Sequence, residues 1–147
     1  MTAATGVYMT GLQKLIDGTI DPTALGVLLV TDSYTPNFTT HDFRDDITNE
    51  VGNSGTYSAG GSALSGEAVV IVSDTVEIQA SNPSWTSATI TARAAIIYHR
   101  RGGAASADEL LLSLRFTPNA DVSSTNGTFT VDLAGASGTL VIFDTSP

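Results

Sequence analysis

The chain has 147 residues, of which 41% are hydrophobic, and this suits one globular domain with its own core over residues 1–147. The net charge is −9, and the only adjacent basic pair is Arg100-Arg101, so we expect no binding to nucleic acid or to an anionic membrane surface. The absence of cysteine excludes disulfides and thiolate metal sites. The first residues lack the basic and apolar regions of a signal peptide, and no secretion signal is predicted.

The N-terminal segment, residues 1–20, is predicted to contain a short helix over residues 7–17. The spacing i, i+4, i+7 and i+8 places four apolar side chains on one stripe of such a helix. These four are Tyr8, Leu12, Leu15 and Ile16. Gly11 lies inside the helix and costs up to about 1 kcal/mol relative to alanine. The segment is either a helix that packs on the domain or an arm that docks on a partner.

The β domain is predicted over residues 21–147, and it begins with a buried strand at residues 25–30, LGVLLV. Residues 31–62 then form a long polar stretch that is rich in turn formers. Such a length without clear periodicity is unusual in a compact domain, so the stretch is either a functional loop or holds short elements. We expect this segment to be the one that reaches a neighbouring subunit.

The pattern becomes regular after residue 63. Residues 68–72 and 75–80 are β-prone runs on either side of Ser73-Asp74, which predicts a hairpin. Residues 87–98 alternate between apolar and polar side chains, which predicts one half-buried strand. Residues 110–116 repeat this pattern and predict another strand of the same kind.

The C-terminal part continues with strands and turns. Asn126-Gly127 predicts a turn that leads into the alternating residues 128–133. Residues 139–143 predict the last strand. About seven short strands with Gly, Pro, Asn and Asp between them favour an antiparallel β-sandwich or barrel-like domain with a short N-terminal helix.

Two polar segments carry groups that could take part in chemistry. Residues 41–46, HDFRDD, combine a histidine with three carboxylates, a set that can bind a hard cation such as calcium. Their spacing does not match an EF-hand loop, and we favour a solvated loop in which Asp42 or Asp45 caps backbone N–H groups. His99 precedes Arg100-Arg101, a pair that either contacts an acidic partner or is solvated at a strand end. We favour the solvated strand end.

No enzyme signature is present. The sequence contains neither a G-x-S-x-G nucleophile elbow nor a phosphate-binding loop, and no dinucleotide-binding glycine pattern follows a strand. We therefore predict that the protein is not an enzyme and that it has no catalytic, cofactor or metal residues. Trp85, the single tryptophan, suits core packing first, an interface second and a sugar-binding platform third.

Several stretches together resemble a known family. In chain order they are YMTGLQKLIDGTI at residues 8–20, LGVLLVTDSYTP at 25–36, HDFRDDITNEV at 41–51, GTYSAGG at 55–61, PSW at 83–85 running into TITARAAIIYHR at 89–100, and NGTFTVDL at 126–133. Their order and spacing are similar to those of small virion structural proteins of tailed bacteriophages. The resemblance covers nearly the whole chain, and no single stretch is specific by itself.

The resemblance implies a virion component, with a capsid decoration (cement) protein as the first expectation. Such a protein lies on the outer capsid surface and binds the major capsid protein, commonly as a homotrimer. A head–tail connector or tail structural protein is the first alternative, and a carbohydrate-binding module is the second. We expect contacts in the N-terminal helix and in residues 31–62. The candidate interface residues are Tyr8, Leu12, Tyr34, Phe38, Phe43, Tyr57 and Trp85.

Overall fold

The computed structural model describes residues 3–116, 120–133 and 139–144. It is mainly β, with 45% strand and 11% helix, which confirms the predicted class of antiparallel sheets with one short helix near the N-terminus. Within the described residues, helix α1 spans Met9–Ile16. The strands are β1 Ala3–Val7, β2 Leu25–Val30, β3 Ser62–Ala63, β4 Ala68–Val72, β5 Thr75–Gln79, β6 Ser84–Ala92, β7 Ala94–His99, β8 Leu110–Phe116, β9 Val122–Thr130 and β10 Thr139–Asp144.

The central sheet has five antiparallel strands in the order β1-β8-β7-β2-β3. Strands β2 and β7 are buried at every position, as expected for apolar runs that are covered on both faces. On the first face, Val27 lies opposite Ile97, which lies opposite Leu112. On the second face, Leu28 lies opposite Ile96. Each face therefore needs its own covering layer.

The first face packs against two smaller sheets, β6-β9 and β10-β5-β4. Ile90 of β6, Ile78 of β5 and Phe129 of β9 join Val27 and Ile97 in one buried cluster. This arrangement resembles a sandwich, because side chains of the central sheet and of the smaller sheets meet in a shared core.

The second face is covered by residues from the predicted long loop. Tyr34, Phe38 and Ile47 pack with Leu28 and Ile96 in a second cluster. The loop contains a short 3-10 helix at residues 44–46 and otherwise no strand before β3. Residues 31–47 thus serve as an outer layer over the chain's own sheet, and their length is explained by the sheet face that they cover.

Residues 3–7 form β1, an edge strand that the sequence pattern did not predict. The strand runs antiparallel to β8, with Val7 opposite Leu112 and Gly6 opposite Ser113. A Cβ on Gly6 would clash with the ring of Phe38, which crosses the strand at that point. The segment before α1 is therefore part of the central sheet.

The prediction of one strand over residues 87–98 is wrong, because the chain bends at Arg93. Strand β6 ends at Ala92 and pairs with β9, whereas β7 begins at Ala94 and pairs with β2 and β8. Ala92 and Ala95 both face the main core, although three positions separate them. The extra residue at the bend reverses the alternation. The side chains that the sequence places on one apolar face therefore belong to two different clusters, one on each side of the central sheet.

The predicted turn at Asn126-Gly127 is also wrong, because both residues lie inside β9. Asn126 adopts a φ of 46°, and the register shows an extra residue in β9 between the partners of Ala88 and Ile90. Ser87, with a φ of 51°, marks an opposite extra residue in β6. The left-handed tendency of Asn-Gly is used here for a β-bulge instead of a hairpin turn.

Two other local predictions are confirmed. Strands β4 and β5 form the expected hairpin, in which Val72 pairs with Thr75 and Ser73 adopts a φ of 54°. The alternation over residues 128–133 places the apolar side chains inside. Phe129, Val131 and Leu133 are buried in the main core.

Candidate interaction surface

The seven residues predicted for an interface do not form one surface patch. Four of them are at most 4% exposed: Tyr8, Tyr34, Tyr57 and Trp85. Leu12, Phe38 and Phe43 are half-buried. The four buried side chains therefore pack inside the folded chain and offer almost no contact area to a partner in this conformation.

Tyr8 and Tyr34 belong to the layer over the second face of the central sheet. Their hydroxyl oxygens are 2.9 Å apart, and the Tyr34 hydroxyl lies 2.9 Å from Nδ1 of His41. The Phe38 ring packs 5.1 Å from the Tyr8 ring. Burial raises the pKa of the Tyr8 hydroxyl far above its ordinary value. These contacts tie residues 31–47 to the start of α1.

Trp85 and Tyr57 belong to the main core. Their ring centroids are 5.2 Å apart, and the centroid of the Phe129 ring lies 6.4 Å from that of Trp85. The Tyr57 hydroxyl donates to Glu50 Oε1 at 2.9 Å and accepts from the Leu29 backbone N–H at 2.9 Å. A sugar platform needs an exposed ring face, whereas Trp85 is 3% exposed.

The acidic stretch at residues 41–46 closes on itself. Asp46 Oδ2 accepts hydrogen bonds from the backbone N–H groups of Asp42 at 2.8 Å and Phe43 at 3.0 Å. These bonds, that of Phe43 first, hold the pKa of Asp46 below its ordinary value. The cap is Asp46, not Asp42 or Asp45 as the sequence suggested. In the parts of the chain that the structure describes, no group of three or more His, Asp or Glu side chains could hold a metal ion.

A buried ion-pair network surrounds Glu109, a residue that no sequence pattern singled out. Its carboxylate accepts from Arg101 Nη2 at 2.8 Å and Nε at 3.0 Å, and it lies 3.0 Å from His99 Nδ1. Lys14 Nζ of α1 is 3.6 Å away. Burial alone would raise the pKa of Glu109, but the hydrogen bonds, that of Arg101 foremost, outweigh it and lower this pKa to about 2.

This network has a structural role, because its groups are already paired with one another. His99 Nε2 accepts from the backbone N–H of Asp21 at 3.4 Å, so both ring nitrogens are engaged. Glu109 is 3% exposed and lies between cations from α1 and from the segment after β7. The ion pairs hold helix α1 against the central sheet. Because the Glu109 carboxylate is buried, a substrate cannot reach it.

An exposed apolar surface lies on α1 and the β4–β5 hairpin. Its most exposed side chains are Ile16 at 71%, Val69 at 51% and Ile71 at 79%. A groove of about 240 Å³ joins the helix to the hairpin at this point. The groove is lined by Leu15, Ile16, Pro22, Val69, Val76 and Ile78. We call Ile16, Val69 and Ile71, together with this groove, the apolar surface.

The apolar surface coincides with an open strand edge. Among the described strands, β4 pairs with β5 alone, so its other edge presents unpaired backbone groups. Its sequence, AVVIV, contains no charge, proline or glycine. Natural edge strands are commonly protected by such residues against pairing with another chain. An unprotected apolar edge beside exposed aliphatic side chains suits contact with another protein.

The sequence of residues 68–72 indicates this exposed surface, but the predicted interface was chosen largely from aromatic residues. Residues 68–72 are aliphatic at every position, yet the following hairpin strand places them at the border of a sheet. A strand that is aliphatic at every position is buried only if other layers cover both of its faces. A hairpin strand at the edge of a small sheet does not have such layers on both sides. That mismatch, and not the distribution of tyrosines, points to the exposed patch.

Comparisons with protein-family models, with curated proteins and with solved structures found no match. The described residues contain no helix that is long and apolar enough to cross a membrane. The function is therefore inferred from the residues and their geometry.

Proposed function

We propose that this protein is a structural component of a tailed-phage virion, and specifically a decoration protein that binds the major capsid protein on the outer surface of the shell. The proposal combines the sequence resemblance with one structural observation. That observation is the apolar surface, where Ile71 is 79% exposed beside the open edge of β4.

The composition of the apolar surface favours a protein partner over a small molecule. Its groove is lined by aliphatic side chains and Pro22, which supply no polar group to orient a small ligand. Removing apolar area from water contributes about 25 cal/mol per Å². The edge of β4 adds backbone groups that pair with a strand from another chain. Aliphatic cover plus strand pairing suits a partner with an exposed strand.

A virion setting also suits the low charge of the chain. Charged residues make up 14% of the sequence, well below the usual share of about 25%. We further propose that the protein assembles as a homotrimer, so that each assembly binds the capsid at several points. Interfaces of standard size bury about 1,600 Å² in total, and multiple weak contacts add up through avidity.

The test is binding to shells that lack decoration. Purified protein is added to such capsids, and the bound amount and the heat resistance of the particles are measured. We expect saturable binding at high copy number and greater heat resistance. Ile71→Lys should reduce binding strongly, because it places a charge in the contact. Thr130→Lys, which adds the same charge at an exposed position of β9, is the matched control and should bind normally.

Other outcomes separate the rival functions. A low copy number in whole particles, with no binding to the shell, would support a connector or tail protein. Absence from purified particles, or shell binding that Ile71→Lys and Thr130→Lys affect equally, would contradict the proposed role of the apolar surface.

A further inference from the structure

A polar pocket of about 300 Å³ lies at a different place from the apolar surface. Its side-chain lining comes chiefly from Arg44, Arg100, Asp108 and Tyr98. Glycines from two loops, at positions 60, 61, 102 and 103, form the remaining wall together with Ala59. The glycines leave the charged groups uncovered, so the pocket presents guanidinium groups to an entering ligand.

Arg44 is held in place while part of its guanidinium stays free. Its Nε donates to Asp108 Oδ2 at 2.9 Å, and its Cζ lies 5.3 Å from the centroid of the Tyr98 ring. Asp108 is 2% exposed and also accepts from the Arg101 backbone N–H at 2.9 Å, which fixes the carboxylate. Among the described residues, Nη1 and Nη2 of Arg44 have no hydrogen-bond acceptor.

Arg100 supplies the second cation. Its side chain is exposed, and it has no carboxylate partner in the described part of the chain. Burial raises the pKa of the Tyr98 hydroxyl, and the positive charges of Arg44 and Arg100, together with a hydrogen bond from the Arg100 side chain, oppose that rise. Both arginines line the pocket together with Tyr98, whose hydroxyl donates to the Gly60 carbonyl oxygen at 2.8 Å.

The other ion-paired cations in the described part of the chain are already matched by carboxylates. Arg101 and Lys14 share Glu109, and Arg93 pairs with Asp121 at 2.7 Å. The pocket is different, because its lining holds two arginines but a single carboxylate, that of Asp108, which pairs with Arg44 alone. Counted from Arg44, Arg100 and Asp108, the lining carries a net charge of +1. This charge matches a monoanion.

The charge balance favours a carboxylate over a phosphate. A single carboxylate neutralises the pocket, whereas a phosphate dianion would leave excess negative charge beside Asp108. The chain also carries a net charge of −9, which opposes the approach of a highly charged polyanion. Guanidinium donors bind carboxylates through paired N–H···O bonds, and these charge-assisted bonds are stronger than neutral ones.

The lining favours the end of a side chain over a whole small molecule. Pockets for small molecules hold about 300–1,000 Å³ and are lined mainly by hydrophobic side chains. This pocket is at the lower limit of that range and is lined mainly by glycine backbone and charged groups. It therefore suits the side-chain carboxylate of an Asp or Glu residue whose backbone remains outside the pocket.

The geometry points to a binding site for one carboxylate group from an acidic segment of another protein, with the terminal nitrogens of Arg44 and the guanidinium of Arg100 as donors. This assignment separates the two members of the Arg100-Arg101 pair. Arg101 is paired with Glu109, whereas Arg100 has no carboxylate partner among the described residues. The site shares no residue with the apolar surface, and it does not depend on the proposed virion role.

The test is an NMR titration of the full ¹⁵N-labelled chain. The probe is a capped peptide with one glutamate among glycine and serine residues, compared with the same peptide carrying glutamine. We expect the amide signals of Gly60, Gly61, Gly102 and Gly103 to shift saturably with the glutamate peptide only. Acetate should shift the same signals at higher concentration, and inorganic phosphate should bind no more tightly than acetate.

Variants assign the effect to the pocket. Arg100→Gln should weaken binding of the glutamate peptide about tenfold, as expected for losing a charge-assisted hydrogen bond. Arg93→Gln removes a paired arginine outside the pocket and should leave the affinity unchanged. Because Arg100 is exposed, the Arg100→Gln protein should keep the spectrum of the folded chain. Arg44 is not substituted, because its loss would leave the buried carboxylate of Asp108 without its ion-pair partner.

Three results would overturn the assignment. One is equal binding of the glutamine peptide, and another is tighter binding of phosphate than of acetate. The third is an unchanged affinity in folded Arg100→Gln. None of them affects the shell-binding comparison of Ile71→Lys with Thr130→Lys, so failure of one proposal is distinguishable from failure of the other.

Discussion

Gly11 of α1 lies so close to Leu110 of β8 that a Cβ built on the glycine would stand 1.9 Å from the Leu110 carbonyl oxygen. The missing side chain lets the helix backbone rest directly on the strand. Gly11 is buried, and the adjoining Tyr8 N–H donates to the Leu111 carbonyl at 3.0 Å. The glycine that counted against a helix in the sequence is thus required for helix docking.

Gly11→Ala should lower the free energy of unfolding. Helix propensity alone would favour alanine by about 1 kcal/mol. Because the added methyl group meets backbone that cannot rotate away, we expect a net loss of about 1–3 kcal/mol or more. Urea denaturation measures the difference. Gln13→Ala, at an exposed position of the same helix, should stay within about 0.5 kcal/mol of the parent. A Gly11→Ala protein as stable as the parent would contradict the close approach.

The Glu109 network should make stability depend on acid pH. The pKa of Glu109 is lowered in the folded chain to about 2 from an ordinary 4.5. A lowered folded-state pKa stabilises the fold above the unfolded-state pKa, and this contribution disappears as the pH falls from about 4.5 through about 2. The contribution is on the order of 3 kcal/mol at neutral pH.

Glu109→Gln provides the measurement for that contribution. At about pH 7 the variant should unfold more easily than the parent by on the order of 3 kcal/mol, because Arg101 and Lys14 lose their carboxylate. The difference should shrink as the pH is lowered from about 4.5 towards 2, since Glu109 of the unfolded parent becomes protonated there while the folded carboxylate is still ionised. Asp45→Asn, at an exposed position, is the control and should follow the parent. A gap that is constant with pH would show that the carboxylate charge is not responsible.

Local patterns predicted those elements that depend on local chemistry. The helix at Met9–Ile16 and the hairpin around Ser73 follow from periodicity and turn residues, and the structure has both. The bend at Arg93 and the bulge at Asn126 were not predicted, because in each case the local pattern is compatible with two different structures. Alternation is the same whether a strand stays in one sheet or crosses to another, and a left-handed Asn serves a turn or a bulge equally well.

The candidate surface was harder to predict, because exposure is a property of the assembled layers. Tyr34 lies in a polar stretch, yet it is buried since that stretch covers a sheet face. Ile71 lies in an aliphatic run, yet it is exposed since its strand ends a small sheet. The pairing of Arg101 and not Arg100 with Glu109 likewise depends on how β7 and β8 are joined.

Trp85→Ala should act on stability and not selectively on ligand binding. The indole is 3% exposed and packs against Tyr57 and Phe129. Its removal leaves a cavity, and we expect the free energy of unfolding to fall by about 3–5 kcal/mol. Thermal and urea unfolding measure this loss. A Trp85→Ala protein of parental stability that had lost binding to a glycan would contradict the core assignment and favour a sugar site.

Ile71→Lys should change association without changing the fold. The Ile71 side chain is 79% exposed, so lysine loses little burial and should alter the free energy of unfolding by about 0.5 kcal/mol or less. Charged residues on edge strands oppose strand pairing between chains, and lysine is the residue most used for this purpose. Without capsid protein the open edge is left to pair with a second copy, so light scattering over a range of concentrations should show less self-association of Ile71→Lys than of the parent, with Thr130→Lys associating normally. If the parent and Ile71→Lys scatter alike at every concentration, the open edge of β4 has no part in assembly of the isolated protein.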